Sequence, residues 1–256
     1  MVNSRASRQP SRFVQWAERL GYLALPLAAI AVLLTRSGQV PPMTGVLVLA
    51  SAALVSTLAV AIALVGAVDI WRNGRTGLAG LFRTGMVAAL VLAFPAYLAI
   101  EAGRLPRMND ISTDIIDPPV FSRSGRALAA RNGHVPTTID PREREKQRSA
   151  YADLRTLVLE VEADEAFRLV KEAVTTLKWR IIEEAAPGGR SGQGRIEAVA
   201  ETRIMRFQDD IVIRIRPSGA GTRIDMRSAS RVGRHDFGAN ARRIRRLIEE
   251  IVAPKE

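Results

Sequence analysis

The sequence contains no cysteine and only two histidines. Without cysteine the chain forms no disulfide bond, has no thiolate nucleophile and offers no cysteine ligand for zinc. A zinc site would need His134, His235 and carboxylates to converge, which is a weak basis for a metal centre. We therefore predict neither a bound metal nor a cofactor.

Motifs of nucleotide-binding and hydrolytic enzymes are also missing. Pro187–Gly194 is rich in glycine, but it lacks the full glycine pattern of a phosphate-binding loop and precedes a predicted strand instead of a helix. Such a stretch is typical of a hairpin turn. Because no nucleophile elbow is present either, we predict no catalytic residue.

Charge is absent from three apolar stretches within the first hundred residues, which are Leu20–Leu34, Val46–Val68 and Met86–Ile100. The middle stretch carries no charge and exceeds the roughly 20 apolar residues that cross a bilayer. We predict an anchor of three transmembrane helices, with spans at about residues 14–36, 46–68 and 78–100. The predicted organisation is an anchor at 1–102, a proline-rich connector at 103–150 that partly docks on the domain, and a soluble domain at 151–256.

The arginines beside these spans predict their orientation. Four lie in or near the N-terminal tail, one in the first loop and three around the second loop: Arg5, Arg8, Arg12 and Arg19, then Arg36, then Arg72, Arg75 and Arg83. Positively charged residues stay on the cytoplasmic side. We therefore expect a multi-pass protein of the bacterial inner membrane, with a cytoplasmic N-terminus and a periplasmic C-terminal domain.

The overall charge of +11 invites a nucleic-acid interpretation, but its distribution opposes one. Residues 151–256 carry 20 basic and 17 acidic side chains, whereas residues 1–150 carry 17 and 9. The excess lies mainly beside the membrane spans, where it reports topology and anionic headgroups. We predict membrane lipids, and an envelope protein partner, as the interaction partners, and no nucleic acid.

Hydrophobic periodicity becomes regular after residue 153 and predicts the order β-α-β-β-β-β-α. The predicted strands are Leu154–Val161, Trp179–Glu184, Arg195–Arg203, Asp210–Arg216 and Thr222–Arg231. A helix capped by Asp164 follows the first strand, and a helix at Asp236–Ile251, capped by Asp236, ends the domain. Each helix has one apolar stripe, so we expect a two-layer α+β domain with both helices on one face of an antiparallel sheet of about five strands.

The other face of this sheet is expected to be charged and solvated. Alternation along the strands places acidic and basic side chains there together. Symmetric hairpins would bring Glu197 opposite Arg216, Arg203 opposite Asp210, and Arg214 opposite Asp225. Such pairs stabilise a sheet by about 0.2–1 kcal/mol each.

The junction between the last strand and the last helix is the densest polar sequence, Asp225–Asn240. A helix N-terminus beside Arg227, Arg231 and Arg234 is a plausible anion site. Ligand-binding candidates there are Asp209, Asp210, Arg227, Ser228, Ser230, Arg231, Arg234, His235, Asp236 and Asn240. The alternative is that Arg231, Asp236 and Asn240 only tie the strand end to the helix start by hydrogen bonds.

Three segments resemble a known family. These are Arg227–Asn240 with Arg243 and Ile244, the run Phe207–Asp210, and a connector motif that includes Asp110, Thr113, Asp114, Asp117 and the following Pro-Pro-Val-Phe. Over roughly residues 108–250 the chain resembles the domain of unknown function 1499. The resemblance implies a membrane-anchored envelope protein and implies no particular reaction.

Three functions follow as hypotheses. The first is an envelope protein whose extracytoplasmic domain binds a partner or an anionic ligand. The second is an envelope hydrolase or lyase that uses Asp209, His235 and Asp236, although neighbours in sequence rarely form a triad and Asp209 and Asp210 point to opposite strand faces. The third is a structural subunit of a membrane complex, in which Arg242–Arg246 meet an acidic partner.

Overall fold

The computed structural model describes residues 9–136, 139–188, 192–219 and 221–254. Arg5, Arg8 and the middle of the Pro187–Gly194 turn lie outside these residues. The chain forms two compact units. One contains the first hundred residues and Arg203–Arg206, and the other contains Glu101–Thr202 and Phe207–Glu256.

The first unit consists of three long apolar helices, as predicted. They are α1 (Arg12–Arg36), α2 (Pro42–Asn73) and α3 (Leu78–Arg104). By length and composition, each is long and apolar enough to cross a membrane. Each helix extends beyond the apolar stretch from which it was predicted.

Small side chains line the contact between α1 and α2. The buried residues of α2 are Gly45, Ala52, Ser56, Ala59 and Gly66. A Cβ on Gly66 would lie 2.7 Å from Cγ2 of Val14, so glycine is needed for this close approach. Polar contacts join one end of the unit, where Ser11 donates to Asp69 at 2.6 Å. Close packing of small residues is how apolar helices associate in lipid, where no hydrophobic force acts between them.

The second unit is built on an antiparallel sheet. Its strands are β1 (Asp110–Ser112), β2 (Leu157–Leu159), β3 (Arg180–Ala185), β4 (Gly194–Glu201), β5 (Gln208–Ser218) and β6 (Gly221–Ser230). Its helices are α4 (Gly125–Ala130), α5 (Pro141–Ala150), α6 (Ala163–Thr176) and α7 (Ala239–Val252). The strand order is β1-β6-β5-β4-β3, and β2 also pairs with β6. Strand β1 comes from the connector and was not predicted.

Helices α6 and α7 pack on one face of the sheet, which confirms the two-layer α+β architecture. Apolar side chains of β4, β5 and β6 meet Val170 of α6 and Leu247 of α7 in one continuous core. The prediction that Asp164 caps α6 is wrong. Glu162, two residues earlier, occupies the N-cap and makes no side-chain capping bond. Asp164 lies within the first turn, where an acidic side chain still favours the helix dipole.

Much of the opposite face of the sheet is buried, although Arg223 remains exposed, and this corrects the expectation of a solvated charged surface. Residues 114–131, here called the covering segment, lie across it. Phe121 packs against Val212 and Ala229, and Ala127 packs against Ile182 and Val199. This segment removes several strand charges from water.

The register confirms one of the three predicted cross-strand pairs. Arg214 lies opposite Asp225. Glu197 lies opposite Val212 and not Arg216, whereas Asp210 lies opposite Val199 because Arg203 falls beyond the end of β4. The predicted symmetry about this turn failed because β4 ends at Glu201 and β5 begins at Gln208, each two residues earlier than predicted, which shifts the register by four residues.

Candidate functional site

The connector motif is bound to the charged sheet face. Thr113 continues the β1–β6 ladder, because its N–H donates to the Met226 carbonyl at 2.9 Å, and its hydroxyl accepts from the Met226 N–H at 2.8 Å. Arg214 donates to Asp114 at 3.3 Å and to Asp117 at 2.9 Å. The four connector residues singled out from the sequence, Asp110, Thr113, Asp114 and Asp117, therefore hold the covering segment in place.

A buried carboxylate anchors the far end of the covering segment. Glu197 accepts from Nη2 of Arg131 at 2.5 Å and from the Ser122 N–H at 2.6 Å, and Arg195 also donates to it. Arg131 and Arg227 both place their guanidinium groups over the ring of Phe121, at 5.4 and 5.1 Å from its centroid. Sequence reasoning missed Arg131, because 66 residues separate it from Glu197.

Two of the three arginines proposed as anion ligands are paired within the fold. Arg227 donates to both carboxylate oxygens of Asp110, at 3.0 and 2.7 Å. Arg231 donates to Asp210 at 2.7 Å, to Gln208 at 2.6 Å and to a backbone carbonyl. Burial raises the pKa of Asp110 above its ordinary value, although the bonds from Arg227 oppose that change.

A second polar cluster lies on the helix-packed face. Ser228 donates to Asn240 at 2.7 Å, and Asn240 donates to Ser230 at 3.0 Å. Arg243 donates to Ser228, Asn240 and Asp209. Burial raises the pKa of Asp209, against the attraction of Arg243. Asp209 and Asp210 thus lie on opposite faces, as predicted. Arg243, one of the arginines at 242–246 that were expected to meet an acidic partner, is buried within the fold.

The turn before α7 is tightly constrained. Asp236 accepts from the N–H groups of Gly238 and Asn240, both at 2.8 Å. Nδ1 of His235 accepts from the Phe237 N–H at 3.1 Å, and the two rings stack at 4.5 Å. Phe237 has a φ of +50°, which is strained for a bulky residue. Gly238 and not Asp236 occupies the N-cap of α7, which begins at Ala239, although the Asp236 carboxylate accepts from the Asn240 N–H in the first turn.

The positions of these side chains give the hydrolase hypothesis no support. Asp209 is held by Arg243, and Asp236 is occupied by backbone N–H groups. His235 accepts a backbone hydrogen bond through Nδ1, so that nitrogen is not a free base. Across the described ranges, no group of three or more histidine or carboxylate side chains is arranged to hold a metal ion.

Hydrogen bonds join the segment that follows α3 to this turn. The Asp236 N–H donates to the Met108 carbonyl at 2.9 Å, and the Asn109 side chain donates to the Gly233 carbonyl at 2.6 Å. A Cβ on Gly238 would lie 2.8 Å from Leu105, so these two stretches are in close contact. The candidate site therefore includes residues 104–109, which sequence reasoning did not associate with it.

Four exposed arginines lie on these fastened stretches and are here called the free arginines: Arg104, Arg107, Arg234 and Arg242. Within the part of the chain that the structure describes, none of the four side chains forms an ion pair or a side-chain hydrogen bond. Nη1 of Arg242 lies 3.0 Å from the position a Cβ would take on Gly238, which places this guanidinium beside the turn. Only Arg234 belonged to the anion site proposed from the sequence.

Comparison with known proteins identifies one family. The model of the family described as "Protein of unknown function (DUF1499)" matches residues 110–251. No curated protein matches the chain. A crystal structure of the vertebrate conserved region of human METTL16 is similar over 39% of this chain and 98% of its own length, with 11% sequence identity and a TM-score of 0.28. That likeness is too weak to bear on function.

Proposed function

The chain belongs to the family of proteins of unknown function DUF1499, and we propose that it is a membrane-anchored envelope protein whose second unit binds a phosphate-bearing anionic ligand through the free arginines. The anchor is the three-helix first unit. The arginine count per loop supports an inner-membrane location with the second unit on the periplasmic side.

The observation that carries this proposal is the division of the junction arginines into two classes. Arg227, Arg231 and Arg243 face inward, and each has a carboxylate partner. Arg104, Arg107, Arg234 and Arg242 face solvent, and no carboxylate partner is found for them among the described residues. Exposed guanidinium groups without partners remain available to a ligand, and their planar donors fit phosphate oxygens in pairs.

The turn that presents Arg234 is preorganised. Within the turn, the Asp236 carboxylate accepts from the Gly238 N–H. From the segment after α3, the Asn109 side chain donates to the Gly233 carbonyl. Binding to a constrained segment costs little conformational entropy, so more of the electrostatic attraction appears as affinity. The inward arginines therefore contribute indirectly, because their ion pairs hold the scaffold that positions the outward ones.

The test uses the full chain in uncharged detergent, with tripolyphosphate as the probe and a titration that yields a dissociation constant. The variant replaces the four free arginines by glutamine. A matched control replaces four other exposed arginines, Arg123, Arg126, Arg142 and Arg180, by glutamine. Each arginine near a polyanion contributes about 1 kcal/mol before screening, so we expect the first variant to bind about 10- to 100-fold more weakly.

The control should bind as the wild type does, since it has the same net charge as the first variant. An equal loss in both variants would show that total charge, and not this site, determines binding. Failure of the wild-type chain to bind the probe would also overturn the proposal.

A further inference from the structure

Val232 is an exposed apolar residue within the polar junction. Its relative exposure is 48%, and it lies between the buried ion pair of Arg231 and the fastened Gly233. A single exposed valine is ordinary on a protein surface. Its position is not ordinary, because Arg234 follows it by two residues and no carboxylate lies on residues 226–235.

The covalent chain limits how far this turn can lie from the membrane. Arg104 and Arg107 follow Ile100, the last residue of the third apolar stretch, by four and seven residues. Seven residues span at most about 25 Å even when fully extended. Asn109, nine residues after Ile100, binds Gly233 directly, so the chain from Ile100 to this contact spans at most about 32 Å.

A tether of this length raises the effective concentration of the membrane surface at the site. Lipid headgroups carry phosphate, and basic side chains near an anionic bilayer gain about 1 kcal/mol each. Cationic side chains around an apolar residue also match the composition of segments that lie at the headgroup boundary.

We infer that the phosphate-bearing ligand is the anionic headgroup layer of the membrane that anchors the chain, and that Val232 enters this layer while the free arginines bind its phosphates. The inference rests on the proposed function and identifies its ligand. The constrained turn supports it, because Asp236 and His235 hold the backbone in place and leave Val232 and Arg234 outward.

The absence of cysteine makes a direct test possible. The variant Val232→Cys has a single thiol, which takes an environment-sensitive fluorophore at one position only. The control is Val158→Cys on β2, because Val158 is 49% exposed and pairs in register with Arg223, another exposed arginine. Both labelled full-length chains are placed in nanodiscs of phosphatidylglycerol or of phosphatidylcholine.

We expect a blue shift of emission, and quenching by nitroxide-labelled headgroups, for the Val232 label in phosphatidylglycerol. The shift should be at least twofold smaller in phosphatidylcholine and absent for the Val158 label. Replacing the four free arginines by glutamine in the Val232→Cys chain should abolish the difference between the two lipids.

The outcomes separate the two proposals. If tripolyphosphate binds through the free arginines but the Val232 label does not respond to lipid, the ligand is a soluble anion and the inference is overturned while the proposed function stands. If the Val232 label responds equally in both lipids, headgroup charge is not recognised and the inference also fails. If neither tripolyphosphate nor phosphatidylglycerol distinguishes the wild-type chain from the glutamine variant, both proposals fall.

Discussion

Arg131 and Glu197 form an ion pair in which neither side chain is exposed to solvent, with 2.5 Å between Nη2 and Oε2. One belongs to the end of α4 and the other to the middle of β4. Removing one partner of a buried ion pair costs more than the pair contributes, because the remaining charge stays desolvated. This pair therefore fixes the covering segment to the sheet.

We predict that Arg131→Met destabilises the second unit by about 3 kcal/mol or more, because Glu197 loses a buried partner. Chemical unfolding of the full chain, followed by Trp179 fluorescence in chains whose other tryptophans are replaced, measures the loss. The double variant with Glu197→Met should lose less than Arg131→Met alone, since it also removes the buried carboxylate that has lost one of its partners. A larger loss in the double variant would contradict this account.

Adjacent arginines of α7 should differ sharply in their effect on stability. Arg243 is buried against Asp209, whereas Arg242 is exposed and forms no ion pair with any residue that the structure describes. Arg243→Met should lower the free energy of unfolding by about 3 kcal/mol, because it leaves the buried Asp209 carboxylate without this partner. Arg242→Met should change the free energy of unfolding by less than about 0.5 kcal/mol. The thermal unfolding midpoints of the two variants, compared with that of the wild type, measure this difference in stability. Similar midpoints for both would show that Asp209 does not need Arg243.

Gly238 tests the contact between the turn and the segment after α3. It has a φ of +73°, and a Cβ there would lie 2.8 Å from Leu105. Gly133 has a φ of +77° and no atom within 4 Å of the same position. Gly133→Ala should cost about 1 kcal/mol, for the backbone conformation alone, and Gly238→Ala should cost more, because Leu105 must also move. Equal losses of unfolding free energy would mean that the contact with Leu105 is unimportant.

The stability of the second unit should depend on pH with opposite signs at two aspartates. Burial raises the pKa of Asp110, so the folded state binds a proton that the unfolded state does not. This carboxyl therefore favours folding increasingly as the pH falls toward its ordinary value of 3.8. The hydrogen bond from Arg245 lowers the pKa of Asp153, so its contribution is complete above 3.8 and is lost as the pH falls further.

Thermal unfolding between pH 7 and pH 3 measures both effects. The stability of the wild type relative to Asp110→Asn should increase on acidification above pH 3.8, and the stability relative to Asp153→Asn should decrease below it. Parallel pH profiles for the wild type and both variants would refute the pKa directions. A chloride titration at fixed pH controls for general screening.

Local patterns predicted the elements of the fold but not what covers them. Period-two alternation in β4, β5 and β6 identified the apolar face correctly, and helical spacing identified α6 and α7. Alternation also identified the charged face, yet it could not show that Phe121 and Arg131 lie over it, because the covering segment has no regular periodicity of its own. A carboxylate on a strand gives the same alternating sequence pattern whether water solvates it or a distant guanidinium pairs with it.

The candidate site shows the same limit. The density of polar residues in Asp225–Asn240 predicted a site there, and Asp236 does bond to the first turn of α7, although Gly238 is its N-cap. Which arginines are free depends on partners elsewhere in the chain. Asp110 lies 117 residues from Arg227, and Asp209 lies 34 residues from Arg243. Arg104 and Arg107 could not be assigned to the site from the sequence, because no local pattern connects them to the turn before α7.

The pairing of β1 with β6 has a consequence for biosynthesis. Thr113 bonds to Met226, 113 residues later in the chain, so the strand nearest the membrane helix emerges from the ribosome long before its partner exists. Until β6 is made, the covering segment has no sheet to lie on, and its arginines and aspartates remain hydrated. Such long-range pairing slows folding and leaves the nascent chain open to misassembly. Since β6 precedes only the final helix, the unit closes near the end of translation, and truncations before β6 leave the whole segment after α3 without a fold.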